Sequence, residues 1–194
     1  MADKVINETD TVVALPAYDV LGVPHAVLPS GLVRYDELTP ADINHYAVVT
    51  DTSHANAGGG GNISCAILAD AFTLGFTDSE EDDERTLCEP GNSVDLTDLN
   101  FDADITGFRD RDKNATDSVF VLWQNLTFAP DVPYLLVHRT DKPSDATFVA
   151  GDEVHIYYAW TDLPVNVHAD GEKQKIQSSF VTKSTAVDSY VLPA

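Results

Sequence analysis

The chain has 194 residues, and its 32 Asp and Glu against 11 Lys and Arg give a formal net charge of −21. A polyanion without a basic patch in its sequence is a poor ligand for nucleic acid, so no direct contact with nucleic acid is expected. The hydrophobic fraction of 43% excludes a wholly disordered chain, and the apolar runs are too short to span a bilayer as helices.

The apolar segments are short, rich in β-branched residues and separated by Gly, Pro, Asn and Asp, which is the pattern of strands joined by turns. Alternation along Glu153–Trp160 places Val154, Ile156, Tyr158 and Trp160 on one face of a strand. Weaker alternation marks Lys175–Val181 as an edge strand. In chain order, the predicted strands are Thr11–Leu15, Val20–Leu28, Tyr46–Thr50, Ile63–Leu68, Phe72–Phe76, Ser118–Gln124, Tyr134–His138, Glu153–Trp160, Lys175–Val181 and Ala186–Val191.

Helical signals are few. Thr39 offers an N-cap, Pro40 suits the first helical position and Asp42 places an acid in the first turn, which predicts a short helix over Pro40–His45. About ten strands with at most one or two short helices indicate an all-β fold, a single jelly-roll sandwich or barrel. The chain is expected to form one domain over residues 1–194, with residues 1–10 as a polar N-terminal arm.

The segment 77–117 is polar, acidic and longer than an ordinary loop, which predicts an excursion that packs over the barrel or against a neighbouring subunit. Within it, Asp110, Asp112 and Asn114 match the first three ligand positions of an EF-hand loop, although the later Gly and Glu are missing. These residues are weak candidates for a loosely bound Na⁺ or Ca²⁺ ion. The alternative is that a chain rich in Asp produces such clusters by composition, and no other metal or cofactor is expected.

No catalytic motif is present in the sequence. The run Gly58–Gly61 lacks the Lys-Ser/Thr and the helix start of a phosphate-binding loop, which favours a flexible hairpin tip. The six histidines form no metal-binding pair, and no Ser-His-Asp or Cys-His grouping has a recognisable context. The sequence therefore predicts that the chain is not an enzyme.

Two cysteines are present, and their sequence settings differ. Cys65 lies in the apolar run Ile63–Leu68, whereas Cys88 follows an acidic stretch and is expected to be the more exposed. Either both are small buried hydrophobic residues, or they form a disulfide within the chain or between subunits.

The length, the acidity, the strand spacing and the aromatic C-terminal strands Val154–Trp160 and Ile176–Val181 are similar to those of the small major capsid protein of haloarchaeal icosahedral viruses with an internal membrane, the sphaerolipovirus group. The resemblance implies a structural virion protein with a single vertical jelly roll. It also implies that the chain is synthesised in the host cytoplasm and builds an icosahedral shell in high salt. The partners that it implies are other copies of the chain, a larger jelly-roll capsid protein and the internal membrane or its proteins.

Under this resemblance, Cys65 or Cys88 could staple subunits after lysis, when the particle meets an oxidising medium. Two alternatives come from other classes of protein. One is a halophilic secreted β-sandwich module that binds carbohydrate or another ligand. The other is a hydrolase with paired carboxylates, a hypothesis that 32 acidic residues leave open.

Salt should control any assembly of this chain, because acidic surfaces repel one another unless ions screen them. We expect that lowering the salt concentration to tens of millimolar dissociates assembled particles, as measured by sedimentation after dialysis under reducing conditions. Particles with unchanged sedimentation would contradict this expectation.

Overall fold

The computed structural model describes residues 10–17, 38–54, 59–77, 80–82, 95–98, 101–168 and 170–194. Ten strands and two α-helices lie in this part of the chain, together with 3₁₀ turns at Thr52–His54 and Ser64–Ala66. In chain order, the elements are β1 (Thr11–Pro16), α1 (Pro40–Ala47), β2 (Gly61–Asn62), β3 (Ile67–Phe76), β4 (Glu80–Asp82), β5 (Asp95–Asp98), β6 (Phe101–Phe108), α2 (Val119–Thr127), β7 (Pro133–Arg139), β8 (Glu153–Thr161), β9 (Val165–Val167) and β10 (Lys175–Val191).

The strands form one large antiparallel sheet in the order β2-β1-β7-β8-β10-β6-β3, and β9 also pairs with β10. The strands β4 and β5 pair with each other in a separate two-stranded sheet. This architecture confirms the predicted all-β class with two short helices.

The 17-residue strand β10 joins the two halves of the large sheet. Its first part, Lys175–Ser179, pairs with β6, whereas its later part, Phe180–Val191, pairs with β8. The prediction of two separate strands, the first of them an edge strand, is therefore wrong. The first part has β9 on its other side, so it is an interior strand.

The half of the sheet that contains β1, β7 and β8 is buried on both faces. One face packs against α2, β6 and Phe180 of β10, through Val12, Ala14, Tyr134, Leu136, Tyr157 and Ala159. The opposite face packs against α1, Phe148 and Leu192, through Val13, Leu15, Leu135, Val137, Val154 and Ile156. This double burial explains why β1 and β7 are continuous apolar runs rather than alternating ones.

Helix α2 occupies the segment for which the sequence predicts a strand over Ser118–Gln124, and that prediction is wrong. The Ser118 side chain caps the helix by accepting from the Val121 N–H. Three apolar residues at helical spacing, Leu122, Trp123 and Leu126, are buried against the sheet. A short apolar run fits a buried strand and a buried helix equally well, so only the cap and the spacing indicate the helix.

Helix α1 confirms the prediction made from its N-terminus. Thr39 accepts from the Asp42 N–H while the Asp42 carboxylate accepts from the Thr39 N–H, which is a capping box. The helix extends through Tyr46 and Ala47, so the predicted strand Tyr46–Thr50 is wrong. The predicted strand Val20–Leu28 lies outside the described residues.

The glycine run is packed rather than flexible in its described part. Gly59 and Gly60 are buried, and Gly61 begins β2. A Cβ atom on Gly60 would lie 2.5 Å from Cδ1 of Tyr46 and 2.8 Å from the carbonyl oxygen of Ala14. Glycine is needed here because the Tyr46 ring and the β1 backbone leave no room for a side chain, so the predicted flexible hairpin tip is wrong.

Gly107 in β6 allows a similarly close approach of Trp123 in α2. A Cβ atom there would lie 2.6 Å from Nε1 and 2.7 Å from Cδ1 of the Trp123 indole, which is fully buried. We expect Gly107→Ala to lower the free energy of unfolding by about 1–3 kcal/mol, because the indole has no free space into which to move. Thermal denaturation measures the effect, with the exposed Thr73→Ala in β3 as control. Equal melting temperatures for the two variants would contradict the packing described here.

Candidate assembly surfaces

The short strand β9 presents apolar side chains to solvent. The exposed fractions are 59% for Val165 and 37% for Val167, and Leu163 just before the strand is 65% exposed. One edge of β9 pairs with β10, and no strand of the described chain pairs with its other edge. A free strand edge flanked by exposed apolar side chains is a template for pairing with another chain.

A fourth exposed apolar residue lies at the same end of the sheet. The Thr161 hydroxyl donates to the Ala129 carbonyl at 2.7 Å, and the Thr161 carbonyl accepts from the Asp131 N–H at 2.7 Å. These bonds fix the turn after α2 beside the end of β8 and bring Phe128, which is 70% exposed, to this region. We call Phe128, Leu163, Val165 and Val167 the β9 surface.

The strand β3 forms a second open edge. It is the last strand of the large sheet, it has 10 residues, and β6 is the strand that pairs with it in the described part of the chain. Phe76 at its end is partly exposed and packs edge-on against Phe101. Among the described residues, β9 and β3 therefore present two different strand edges that a second chain could extend.

A buried ionic cluster holds the loop between β7 and β8. The fully buried Arg139 donates to the Asp152 carboxylate at 3.1 Å, and its guanidinium also donates to the carbonyl groups of Pro143 and Ala146. The guanidinium carbon lies 3.9 Å from the centre of the Phe148 ring. This cluster stabilises the fold; it presents no open site.

The Asp152 carboxylate stays ionised in this cluster. Burial pushes its pKa up, but hydrogen bonds from Lys142, the Val149 N–H and Arg139, together with the charge of Lys142, outweigh burial and hold the pKa below its ordinary value. A buried charge paired in this way is costly to break on one side only.

His138 forms a smaller polar site near the start of β1. Its Nε2 atom lies 3.2 Å from the Asp10 carboxylate, and its ring packs against Phe72 and His155. Burial lowers the pKa of His138, and the neighbouring Asp10 offsets this effect only in part. The ring is therefore neutral near pH 7.

The sequence model of the phage tail tube protein family matches residues 26–194. The chain belongs to the phage tail tube protein family. No curated protein sequence matches it. Membership in this family indicates a structural component of a phage particle, which is the coarse role that the capsid resemblance also implied. The match gives no support to an icosahedral capsid, to an archaeal host or to a halophilic habitat.

The candidate cation residues of this tail tube family member lie in the turn before α2. Asp110 accepts from the Asp112 N–H and from the Ser118 hydroxyl, and Asp112 accepts from the Asn114 N–H. The hydrogen bond from Ser118 is the main cause that lowers the pKa of Asp110. Among the residues that the structure describes, no group of three His, Cys, Asp or Glu could hold a metal ion. Binding of Na⁺ or Ca²⁺ stays a prediction.

Cys65 is exposed, contrary to the expectation from its apolar run. The predicted strand Ile63–Leu68 is interrupted by the 3₁₀ turn Ser64–Ala66, which turns the Cys65 side chain outward, 3.9 Å from the Ser144 hydroxyl. Cys88 lies outside the described residues, so a disulfide stays a prediction.

The segment 77–117 contributes to the main sheet. Within it, β6 lies between β10 and β3, and Asp104 accepts from the Ser179 hydroxyl. The sequence prediction missed this strand, although the alternation in Phe101–Phe108 is a signal that could have found it. In the described ranges, no helix has the length and apolar character needed to cross a membrane.

Removing the charge of Asp152 tests the buried cluster. We expect Asp152→Asn to lower the free energy of unfolding at pH 7 by about 3–5 kcal/mol, because Arg139 stays buried without its counter-ion. The pKa of Asp152 is depressed in the folded state, so its contribution is present above the ordinary carboxyl range and is lost as the pH falls through that range.

The variant should therefore lose less stability than the parent chain between neutral and acidic pH. Urea denaturation at a series of pH values measures this difference. The exposed Asp145→Asn in the same loop is the matched control and should behave like the parent chain. A parallel pH dependence for Asp152→Asn and the parent chain would count against the cluster.

Proposed function

We propose that the chain is a self-associating subunit of a phage tail tube, which polymerises through the β9 surface and the open edge of β3. The observation that carries the proposal is that this member of the tail tube family exposes apolar side chains at the open edge of β9. Fully burying one Leu, Val or Phe side chain stabilises a contact by about 1.5–3 kcal/mol. Four such side chains on the β9 surface, together with backbone pairing, favour a stable contact between copies.

The two edges are different surfaces, so pairing between them is head-to-tail. A heterologous contact of this kind generates rings when the rotation between subunits closes and open helical filaments when it does not. Rings that stack and filaments that wind both produce a tube. The acidic surface of each copy makes assembly favourable only when salt or bridging cations screen the charge. One domain, as expected from its length, serves as the repeating unit.

The β9 surface is tested by adding charge to it. We expect Val165→Lys/Val167→Lys to abolish rings and tubes of the purified chain in negative-stain electron micrographs, because a lysine on a strand edge blocks pairing. The matched control is Val48→Lys/Thr50→Lys, which adds the same charge at exposed positions of the turn after α1, outside the β9 surface, and should leave assembly intact.

Circular dichroism and thermal denaturation verify that both variants fold. Tubes formed by the β9 variant would contradict the proposed contact. Closed icosahedral shells formed by the parent chain with a larger jelly-roll partner over a membrane would instead favour the capsid hypothesis.

A further inference from the structure

Five of the 11 Lys and Arg residues lie in two short segments that the fold brings together. Arg109, Arg111 and Lys113 follow β6, and Lys173 and Lys175 lie at the start of β10. The segments are joined because the Arg109 N–H donates to the Gln174 carbonyl at 3.0 Å and Lys175 pairs with Phe108. The sequence prediction of no basic patch is therefore wrong, because the patch is assembled from distant segments.

Four of these cations line an open groove of about 430 Å³. We call it the basic groove; its lining residues are Arg109, Asp110, Arg111, Lys113, Lys173 and Gln174. Its one carboxylate, Asp110, already accepts two hydrogen bonds from its own turn. The Lys173 ammonium lies 5.1 Å from the centre of the Phe108 ring, which holds it at the groove.

The four cations that line the groove carry no ion pair within the described residues, whereas Lys175 pairs with Glu172 at 3.5 Å. Acidic residues flank the groove at Asp112 and Asp170. In a chain of net charge −21, this is the part of the described surface where cationic groups concentrate without internal partners. Such a place is suited to bind carboxylates of another molecule.

We propose that the basic groove binds carboxylates of a second copy of this chain, at the opposite end of the β8–β10 ribbon. The two ends are fixed by the register: Lys175 of β10 pairs with Val167 near the groove, whereas Val191 pairs with Glu153 at the far end. The far end exposes Asp141, Asp145 and Glu153. This inference rests on the proposed tube function and names a second contact for it.

A contact between a basic end and an acidic end is also head-to-tail, so it repeats from copy to copy along one direction. Nucleic acid is the less favoured occupant, because four groove cations would have to overcome the repulsion of a strongly acidic chain. A second copy of the chain and nucleic acid should respond differently when the charges of the groove and of the far end are reversed.

Charge reversal at each end tests the contact. Arg111→Glu/Lys113→Glu makes both ends acidic, and Asp141→Lys/Asp145→Lys makes both ends basic. We expect each variant to need at least about a tenfold higher protein concentration for half-maximal assembly, measured by sedimentation at fixed salt, because like charges then meet. An equimolar mixture of the two variants should assemble as the parent chain does, and so should the chain that carries all four substitutions.

The four-substitution chain has the net charge of the parent chain, so it separates the contact from a general charge effect. Failure of both the mixture and this chain to assemble, while each is folded by circular dichroism, would overturn the inference. Normal assembly of Arg111→Glu/Lys113→Glu would also overturn the inference. If this variant assembled normally but lost binding of a DNA oligonucleotide, nucleic acid would be the occupant of the groove. A parent chain that stays monomeric overturns the tube function itself, which is a different result.

Discussion

The fold depends on the continuity of strand β10. It is the strand that pairs in both halves of the large sheet, with β8 over its later part and with β6 and β9 over its first part. Its register shifts near Thr182 and Val187 let the strand change direction while keeping its neighbours. Separating the two parts of β10 would open the core that α2 fills, because Phe180 packs against Trp123 at their junction.

The same strand explains where the candidate surfaces lie. Strand β8 pairs with β7 only as far as Pro133 and Trp160, while β10 continues beyond that point with β9 beside it. Since β7 has ended, the outer edge of β9 has no neighbour in the described part of the chain. The basic groove lies at the end of this overhang, and the loop fixed by Arg139 and Asp152 lies at the other end. A single long ribbon thus gives the molecule two chemically different ends.

Local signals in the sequence are sufficient for part of this fold. The capping box at Thr39 and Asp42 predicts α1, and apolar runs bounded by turn residues predict β1, β7 and β8. Helix α2 gives weaker signals, because a run such as Val119–Trp123 has no polar face within so few residues, and only the Ser118 cap and the spacing of the apolar residues indicate a helix.

The assembly surfaces are harder to predict, because they depend on tertiary structure. The cations of the basic groove come from segments about 60 residues apart and meet only through the pairing of β6 with β10. The exposure of the β9 surface cannot be predicted from the sequence, because valines such as Val165 and Val167 are typical of buried and exposed strands alike. Only the fold shows that these residues lie outside the core and that no strand of the described chain pairs with the outer edge of β9.

The net charge of −21 has two opposite effects on assembly. Added salt weakens the repulsion between acidic copies, which favours assembly. It also weakens the attraction between a basic end and an acidic end, which opposes assembly. A tube of this chain therefore needs a contact that does not depend on charge, and the apolar edge at β9 is our proposal for that contact.

Hydrogen–deuterium exchange of the segment 162–168 shows whether copies of the chain pair through the edge of β9. Backbone N–H groups on the free edge of β9 exchange freely in a monomer but become protected when a second strand pairs with them. We expect exchange in this segment to slow markedly in assembled particles, while exchange in the exposed turn after α1 is unchanged. Equal exchange rates in 162–168 for the monomer and the assembled particle would contradict it.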